Sequence, residues 1–132
     1  MALAEAATGT PHKARVVVAD DNDGVRTLLQ VLIELDGRME LVGTATDGSE
    51  ALALVAETHP DAVLLDLSMP VLDGLEVLTA LREQHPETRV VVYSGFSGAE
   101  VQSAAREAGA VDYLVKGVEP EVIIERLLAA AT

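Results

Sequence analysis

Cysteine is absent from this 132-residue sequence, which excludes disulfide bonds, thiolate chemistry and zinc sites that depend on cysteine. Aromatic residues are scarce at 2%, whereas 49% of the residues are apolar. The core must therefore be built from valine, leucine, isoleucine and alanine, and the length suits one domain that buries such a core. No apolar run approaches the roughly 20 residues that cross a bilayer. Because residues 1–7 also do not have the basic start and apolar stretch of a signal peptide, we expect a cytoplasmic protein.

Basic residues are few as well. The sequence has 9 lysines and arginines against 22 aspartates and glutamates, which gives a formal net charge of −13 and an isoelectric point near 4.4. Such a surface repels the phosphates of nucleic acids and anionic membranes. We therefore expect this chain to bind neither nucleic acid nor a membrane directly.

The sequence pattern alternates between strands and helices. Residues 1–12 show no periodicity, so we predict a disordered tail followed by one domain over residues 13–132. β-branched runs predict strands at about 14–19, 39–45, 61–66, 89–94 and 111–115. Helical spacing predicts helices at about 23–36, 48–58, 73–85, 98–108 and 119–131. This alternation implies an α/β domain with a parallel sheet that is covered on both faces.

Local patterns add detail to some of these helices. The helical spacing places five apolar residues of the first helix on one continuous face: Val25, Leu28, Leu29, Leu32 and Ile33. Asp47 with Glu50, and Ser97 with Glu100, have the spacing of capping boxes at the starts of the second and fourth helices.

Polar side chains at the ends of four predicted strands are the most informative feature of the sequence. They are Asp20 and Asp21 after the first strand, Asp66 after the third, Ser94 at the end of the fourth and Lys116 after the fifth. In an open parallel sheet the carboxyl ends of the strands line one edge, where ligands bind in a crevice. Carboxylates, a hydroxyl and a lysine at that edge predict a pocket for a hard cation and a phosphoryl group.

Several of these residues also have an ordinary structural interpretation. Asp20 or Asp21 is a suitable N-cap for the first helix, and Asp66 is a suitable loop cap. The loop from Asp20 to Asp23 is too acidic to cradle a bare phosphate, but it suits Mg²⁺, which takes oxygen ligands. Buried carboxylates that share a crevice repel each other unless a positive charge enters, and Lys116 or a divalent cation supplies that charge.

The combination of these motifs resembles the receiver domain of bacterial response regulators, the CheY-like domain of two-component signalling. The resemblance covers residues 14 to about 131 and rests on the acid pair Asp20–Asp21, the run Asp-x-x-Met-Pro-x-x-Asp-Gly from Asp66 to Gly74, Ser94, and Tyr113-Leu-Val-Lys116. It implies a single doubly wound (βα)5 domain with a five-stranded parallel sheet in the flavodoxin-like strand order 2-1-3-4-5.

The resemblance implies a site for phosphorylation. In the family, the aspartate that corresponds to Asp66 accepts a phosphoryl group from a histidine kinase or from a phosphotransfer protein of a phosphorelay. Asp21 and Asp66 would then hold Mg²⁺, Asp20 would contribute directly or through water, and the backbone carbonyl of Ser68 would complete the set of ligands. The chain would be a phosphoprotein that catalyses only its own phosphorylation and dephosphorylation, and not a turnover enzyme.

The resemblance also implies a switch. Lys116 would neutralise the phosphoryl group, Ser94 would hydrogen-bond one of its oxygens, and Tyr113 would reorient when the Ser94 hydroxyl moves. These changes would alter the face formed by helix 4, strand 5 and helix 5. That face would then bind a downstream protein or a second copy of the chain.

Glycines stand at two positions where the family usually has other residues. Gly117 follows Lys116 where many receivers have proline, and Gly95 follows Ser94 where alanine is common. Both positions resemble receivers that are joined to LuxR-type helix-turn-helix output domains. A receiver excised from such a transcription regulator is therefore an alternative to a stand-alone regulator.

Two further alternatives come from other functional classes. A phosphatase of the haloacid-dehalogenase type also uses a strand-end aspartate and Mg²⁺, but it needs a second aspartate where this chain has Ser68. A pseudo-receiver would bind partners without phosphorylation, although all five pocket residues are present here. The sequence therefore favours a phosphorylated switch over both.

Overall fold

The computed structural model describes residues 13–69 and 73–132, and within them five strands alternate with five helices. The strands are β1 (Ala14–Ala19), β2 (Met39–Ala45), β3 (Ala62–Leu65), β4 (Arg89–Ser94) and β5 (Asp112–Val115). The helices are α1 (Asp23–Asp36), α2 (Gly48–Thr58), α3 (Gly74–Gln84), α4 (Ala99–Glu107) and α5 (Pro120–Ala131). The predicted elements are all present, with bounds within one residue of the prediction. The predicted tail, residues 1–12, and residues 70–72 of the Asp66–Gly74 motif lie outside the described residues.

All neighbouring strands run parallel, in the order β2-β1-β3-β4-β5. This is the flavodoxin-like (βα)5 arrangement, so the predicted fold is confirmed. Chain order along the sheet reverses beside β1 and β3, which makes the carboxyl ends of these strands the switch point where ligands bind in open α/β sheets. The register pairs Ala19 with Leu65. The residues that follow them, Asp20 and Asp66, therefore emerge side by side.

The core occupies both faces of the sheet because successive strand residues point to opposite sides. Val17 and Ala19 of β1 pack with buried side chains of α2, α3 and α4. Val16 and Val18 pack on the other face with buried side chains of α1 and α5. A strand that is buried on both faces needs a continuous apolar run, which is what β1 has.

The apolar face predicted for α1 is narrower in the structure. Leu29 and Ile33 are fully buried against the sheet, and Val25 and Leu32 are partly buried beside them. Leu28, however, is 51% exposed, so it lies outside the part of this face that packs on the sheet. The helix contacts the sheet along a narrow line, and a stripe of five apolar residues covers more of the helix circumference than that line does.

Side chains cap the starts of α1, α2 and α3. Asn22, Asp47 and Asp73 each accept a hydrogen bond from the backbone N–H of the third residue that follows. The predicted cap at Asp47 is confirmed. Its box is not closed, because the Glu50 carboxylate accepts a hydrogen bond from Thr46 N at 2.8 Å instead of from Asp47.

The predicted capping box of Ser97 and Glu100 is wrong. α4 begins one residue later than predicted, and its N-cap is Gly98, which has no side chain to accept a hydrogen bond. A complete box lies at α3, where Asp73 accepts from Glu76 N at 2.9 Å and its own N–H donates to Glu76 Oε1 at 3.2 Å. The Asp-x-x-Glu spacing of that box was present in the sequence and was not identified there.

Candidate functional site

The carboxylates of Asp20 and Asp66 lie at the carboxyl edge of the sheet, one after β1 and the other after β3. Backbone hydrogen bonds extend the strand pairing up to these residues. Asp66 N donates to Ala19 O at 2.9 Å, and Asp20 N donates to Ala45 O at 3.0 Å. Asp20 is 2% exposed and Asp66 is 4% exposed. A buried carboxylate is costly unless it is paired or hydrogen-bonded, so both need partners.

Local turns supply one partner to each carboxylate. Asp20 Oδ1 accepts from Asn22 N at 2.9 Å, and Asp66 Oδ1 accepts from Ser68 N at 3.0 Å. Both are turns that an aspartate side chain makes with the backbone two residues further on. The alternative in which Asp20 or Asp21 is the N-cap of α1 does not hold, because Asn22 takes that position.

Lys116 supplies the second partner. Its backbone N–H donates to Ser94 O at 2.8 Å, which continues the pairing of β4 and β5 to the edge of the sheet. Its Nζ lies 2.9 Å from Asp20 Oδ2 and 3.4 Å from Asp66 Oδ2. The same Nζ is 5.5 Å from the centre of the Tyr93 ring, a distance at which the ring attracts a cation. Lys116 therefore joins both buried carboxylates.

Burial and the neighbouring charges both shift the pKa values of Lys116 and Asp66. Burial opposes the charge on Lys116, but the hydrogen bonds and charges of Asp20 and Asp66 outweigh it and raise the pKa of Lys116. Burial also raises the pKa of Asp66; the hydrogen bond from Ser68 opposes this rise, and the charge of Asp20 adds to it. A further positive charge in the crevice would therefore be favourable.

Asp21 adds a carboxylate on the open side of the crevice. One oxygen from each of Asp20, Asp21 and Asp66 lies within 4.8 Å of the others. Asp21 is exposed, whereas the other two are buried, and Ser68 is exposed in the loop after Asp66. A set of oxygen donors with an exposed member suits Mg²⁺, which prefers carboxylates and keeps several waters. The residues present therefore fit a hard divalent cation.

Ser94 and Tyr113 both hold the backbone of Phe96. Ser94 is fully buried, and its Oγ accepts a hydrogen bond from Phe96 N at 3.1 Å. Tyr113 is 5% exposed, and its hydroxyl donates to Phe96 O at 2.6 Å. The loop after β4 is therefore tied to β5 through a single residue. The sequence analysis did not identify Phe96 as a part of the site.

The structure brings four of the predicted residues together in one crevice: Asp20, Asp21, Asp66 and Lys116. The Ser94 hydroxyl lies at the end of the neighbouring strand and is bonded to its own loop. The sequence analysis missed Arg26, whose Nη1 donates to Asp20 O at 2.7 Å and ties α1 to the site. No local pattern distinguishes Arg26 from a surface arginine, since its role depends on the packing of α1 beside β1.

Comparison with protein families matches residues 16–128 to the response regulator receiver domain. Because the match spans most of the chain, the chain belongs to this family, the receiver domains of two-component signalling. The parallel sheet and the strand-end carboxylates described above agree with this assignment. Within residues 13–69 and 73–132, no helix has both the length and the apolar composition that crossing a membrane requires.

Known proteins similar to this chain include a transcription regulator and two solved structures. The transcriptional regulatory protein PrrA of Mycobacterium tuberculosis is 44% identical over 115 residues, which are 87% of this chain and 48% of that protein. The signal receiver domain of the response regulator NarL from Mycobacterium tuberculosis has a TM-score of 0.88 at 36% identity, with 92% of this chain and 98% of that chain covered. A chain from the CheX–CheY–BeF3–Mg²⁺ complex of Borrelia burgdorferi has a TM-score of 0.84 at 25% identity, with 96% and 94% covered. This chain spans about half the length of the curated relatives it matches.

Proposed function

We propose that this chain is a signalling switch in which Asp66 accepts a phosphoryl group from a phosphohistidine of a sensor kinase or phosphotransfer protein. The observation that carries the proposal is a buried strand-end carboxylate with Lys116 Nζ 3.4 Å from its Oδ2. In the transfer, an Asp66 oxygen forms a bond to phosphorus while the bond between phosphorus and the imidazole nitrogen breaks. The leaving nitrogen takes up a proton. Such a transfer depends mainly on positioning and on charge neutralisation.

Mg²⁺ is the proposed cofactor. Its proposed ligands are Asp20, Asp21 and Asp66, with the backbone carbonyl of Ser68. The oxygen atoms of the three carboxylates lie within 4.8 Å of one another, and the similar complex from Borrelia burgdorferi contains CheY with Mg²⁺ and BeF3. When bound, the cation neutralises negative charge on the group that is transferred.

Lys116 has two proposed roles. Its hydrogen bond to Asp66 positions the acceptor carboxylate, and its raised pKa keeps it charged at neutral pH. That charge offsets the roughly −1.5 to −2 charges that a phosphoryl group adds. Water later attacks the phosphorus, the acyl-phosphate bond breaks, inorganic phosphate leaves, and the Asp66 carboxylate is restored. The chain in this proposal acts on itself alone, so it is not a turnover enzyme.

Replacement of Asp66 by asparagine tests the acceptor. With Mg²⁺ and acetyl phosphate, we expect one phosphoryl group per wild-type chain by mass spectrometry and none on Asp66→Asn, because the amide is not an acceptor. Asp61→Asn is the matched control, since Asp61 is an exposed aspartate just before β3, at the edge of the sheet opposite to the crevice, and it should be labelled normally. Asp21→Ala should need much more Mg²⁺ for the same labelling. Undiminished labelling of Asp66→Asn would refute the proposal.

We further propose that the face formed by α4, β5 and α5 carries the output. α4 is weakly anchored: Ala105 is its one buried residue in the structure described here, and its N-cap Gly98 makes no side-chain hydrogen bond. A shallow apolar crevice beside α4 is lined in part by Leu75, Phe96 and Val101. A helix with so little buried surface can shift at a small cost in free energy.

The backbone of Phe96 is the proposed route from the phosphoryl group to this face. When the Ser94 hydroxyl turns to a phosphoryl oxygen, the hydrogen bond from Phe96 N weakens. The Phe96 carbonyl accepts a hydrogen bond from the Tyr113 hydroxyl, so a shift of the loop after β4 also changes the position of Tyr113. Because the Tyr113 ring is buried, we propose an adjustment of this hydrogen bond within the core, and not a movement of the ring from the surface.

Hydrogen exchange tests this route. Beryllofluoride with Mg²⁺, used as a phosphoryl mimic, should change the exchange of backbone amides within residues 94–116. Tyr113→Phe lacks the hydroxyl that bonds Phe96 O, so it should reduce the change in α4. Tyr93→Phe, the matched control at the other tyrosine, should retain the change. Changes confined to residues 20–70, with residues 94–116 unaffected, would exclude this output face.

A receiver that belongs to a longer transcription regulator is a second candidate. It is favoured by PrrA, a transcriptional regulatory protein of which this chain covers 48%. Gly117 supports the resemblance to receivers with glycine at this position, because its φ of 113° is one that proline cannot adopt. We propose that the altered face then contacts an output domain, a separate cytoplasmic protein or a second copy. The length of the native open reading frame distinguishes a longer regulator from a stand-alone one.

A further inference from the structure

Two histidines face each other at the edge of the sheet opposite to the acidic crevice. His59 ends α2 and leads into β3, and His85 ends α3 and leads into β4. Because β3 and β4 are neighbours in the sheet, their preceding loops lie side by side. The centres of the two imidazole rings are 5.9 Å apart, and the rings are inclined at 66°.

The two loops are held in a fixed relation. Each histidine precedes a proline, Pro60 or Pro86, which restricts the backbone on both sides of the peptide bond. Thr88 is buried and joins the loops, because its Oγ1 donates to Pro60 O at 3.0 Å and its N–H donates to His85 O at 3.0 Å. The two histidines therefore extend from loops whose backbones are fixed relative to each other.

The backbone of His59 is strained. Its φ of 46° and ψ of 61° lie in the left-handed region. Among residues 13–69 and 73–132, it is the one non-glycine residue with a positive φ. Glycine ends a helix in this conformation without strain, and strained residues concentrate at functional sites. Histidine at this position therefore carries a backbone cost that glycine would not have.

Glu87 completes a group of possible metal ligands. One ligand atom from each of His59, His85 and Glu87 lies within 4.8 Å of the others. Bonds of about 2.0–2.2 Å around a tetrahedral zinc ion place its ligand atoms roughly 3.4 Å apart. Small side-chain rotations would therefore bring the three ligand atoms to bonding distance of one ion. Imidazoles favour zinc and similar transition metals, whereas Mg²⁺ favours sites made of oxygen atoms.

We propose that His59, His85 and Glu87 bind Zn²⁺ or a chemically similar divalent transition metal, with water in the remaining position. Both His59 and Glu87 are exposed, which leaves a path for the ion, and the net charge of −13 attracts cations. The ion would join the C-terminal ends of α2 and α3. This site is separate from the acidic crevice, so the inference does not rest on the proposed phosphorylation.

Titration of the whole chain with Zn²⁺ tests this site. Excess Mg²⁺ is present throughout, because it competes for the carboxylates of the acidic crevice. We expect one Zn²⁺ per chain by calorimetry and a higher melting temperature in its presence. In NMR spectra the imidazole signals of His59 and His85 should shift. Undetectable binding, or several weak sites of equal affinity, would overturn the proposal.

Variants at the histidines separate a specific site from general cation binding. His59→Gly removes a ligand and relieves the strained backbone, so without zinc it should melt no lower than the wild type. Its zinc affinity should fall by more than about a hundredfold. Mutation of a residue that only hydrogen-bonds a metal ligand already lowers metal affinity by roughly 10–100-fold, and the loss of a ligand itself should cost more. His85→Gln should show the same loss, and Glu100→Gln, which changes an exposed carboxylate in the first turn of α4, is the control that binds normally. Wild-type affinity in both His59→Gly and His85→Gln, or a loss in Glu100→Gln, would contradict the assignment.

Discussion

Replacement of Gly74 by alanine is expected to lower the free energy of unfolding by about 2–3 kcal/mol, the upper part of the roughly 1–3 kcal/mol range for atoms added to a tightly packed site. A Cβ at this position would lie 2.4 Å from Leu67 Cα and 2.6 Å from Leu67 Cδ2. The first contact is with backbone, which cannot rotate away as a side chain can. Gly74 N also donates to Leu67 O at 3.1 Å, so the two segments are bonded where they are closest.

This contact matters because it holds the loop that carries Asp66. Leu67 directly follows Asp66 and is buried, and Gly74 is the first residue of α3. An alanine at position 74 must push the start of α3 away from Leu67. We therefore expect slower phosphorylation of Gly74→Ala in addition to its lower stability.

Gly95→Ala is the matched control, because a Cβ at Gly95 would meet nothing within 4 Å. Its free energy of unfolding should change by less than about 0.5 kcal/mol, as for most surface substitutions. Urea unfolding of both variants beside the wild type measures the difference. If Gly74→Ala and Gly95→Ala are equally stable, the close contact between Gly74 and Leu67 is not a constraint on the fold.

Most of the fold was predictable because strand-forming runs and segments with helical spacing are well separated in this sequence. β1 and β4 each contain three consecutive valines, Val16–Val18 and Val90–Val92, which favour strands and have no helical spacing. The helices between the strands carry apolar residues at intervals of three and four. Because the connections are short, few strand orders are possible. Parallel strands that are joined by helices also have their carboxyl ends at the same edge of the sheet.

The composition of the site was predictable, but its contacts were not. Chain direction alone brings Asp20, Asp66 and Lys116 to the same edge. It does not determine that Lys116 Nζ lies closer to Asp20 than to Asp66, because that depends on sheet twist and side-chain rotamers. Nor does it determine that Ser94 and Tyr113 bond to the same residue, since their partner lies in an irregular loop.

Features that depend on packing between elements account for the errors. The Ser97–Glu100 spacing meets the local rule for a capping box, but the path of the loop before α4 places Gly98 at the N-cap. His59 and His85 are adjacent because β3 and β4 are neighbours in the sheet, and no local pattern expresses that relation. Both cases require the tertiary structure.

Replacement of Lys116 by methionine is expected to destabilise the domain by about 2 kcal/mol at neutral pH, less than the roughly 3–5 kcal/mol for breaking a fully buried ion pair. The penalty is smaller because the Lys116 side chain is 29% exposed. Asp20 and Asp66 would be left buried without their cation. Methionine keeps most of the apolar volume of lysine, so the loss of stability would come mainly from the missing positive charge.

The penalty should depend on pH because ionised carboxylates produce it. Burial raises the pKa of folded Asp66, while the hydrogen bond from Ser68 and the charge of Lys116 oppose that rise. Without Lys116 the pKa of Asp66 rises further. A carboxyl group whose pKa is higher in the folded than in the unfolded state stabilises the fold while it is protonated, and this stabilisation is complete below the unfolded pKa of about 3.9. The stabilisation is lost as the pH rises through the folded pKa. Lys116→Met should therefore approach wild-type stability in acid and fall behind it toward neutral pH.

Urea unfolding at several pH values measures this dependence. Lys13→Met, which replaces the other lysine of the chain, is the control, because Lys13 is exposed and should show neither the penalty nor its pH dependence. Addition of Asp66→Asn to Lys116→Met removes one of the two buried charges that the lysine balanced, so the double variant should regain part of the lost stability, while Asp20 remains buried without a cation. It should remain unphosphorylated, since the proposed acceptor is gone. A penalty that is constant with pH and unchanged by Asp66→Asn would mean that Lys116 acts through packing and not through its charge.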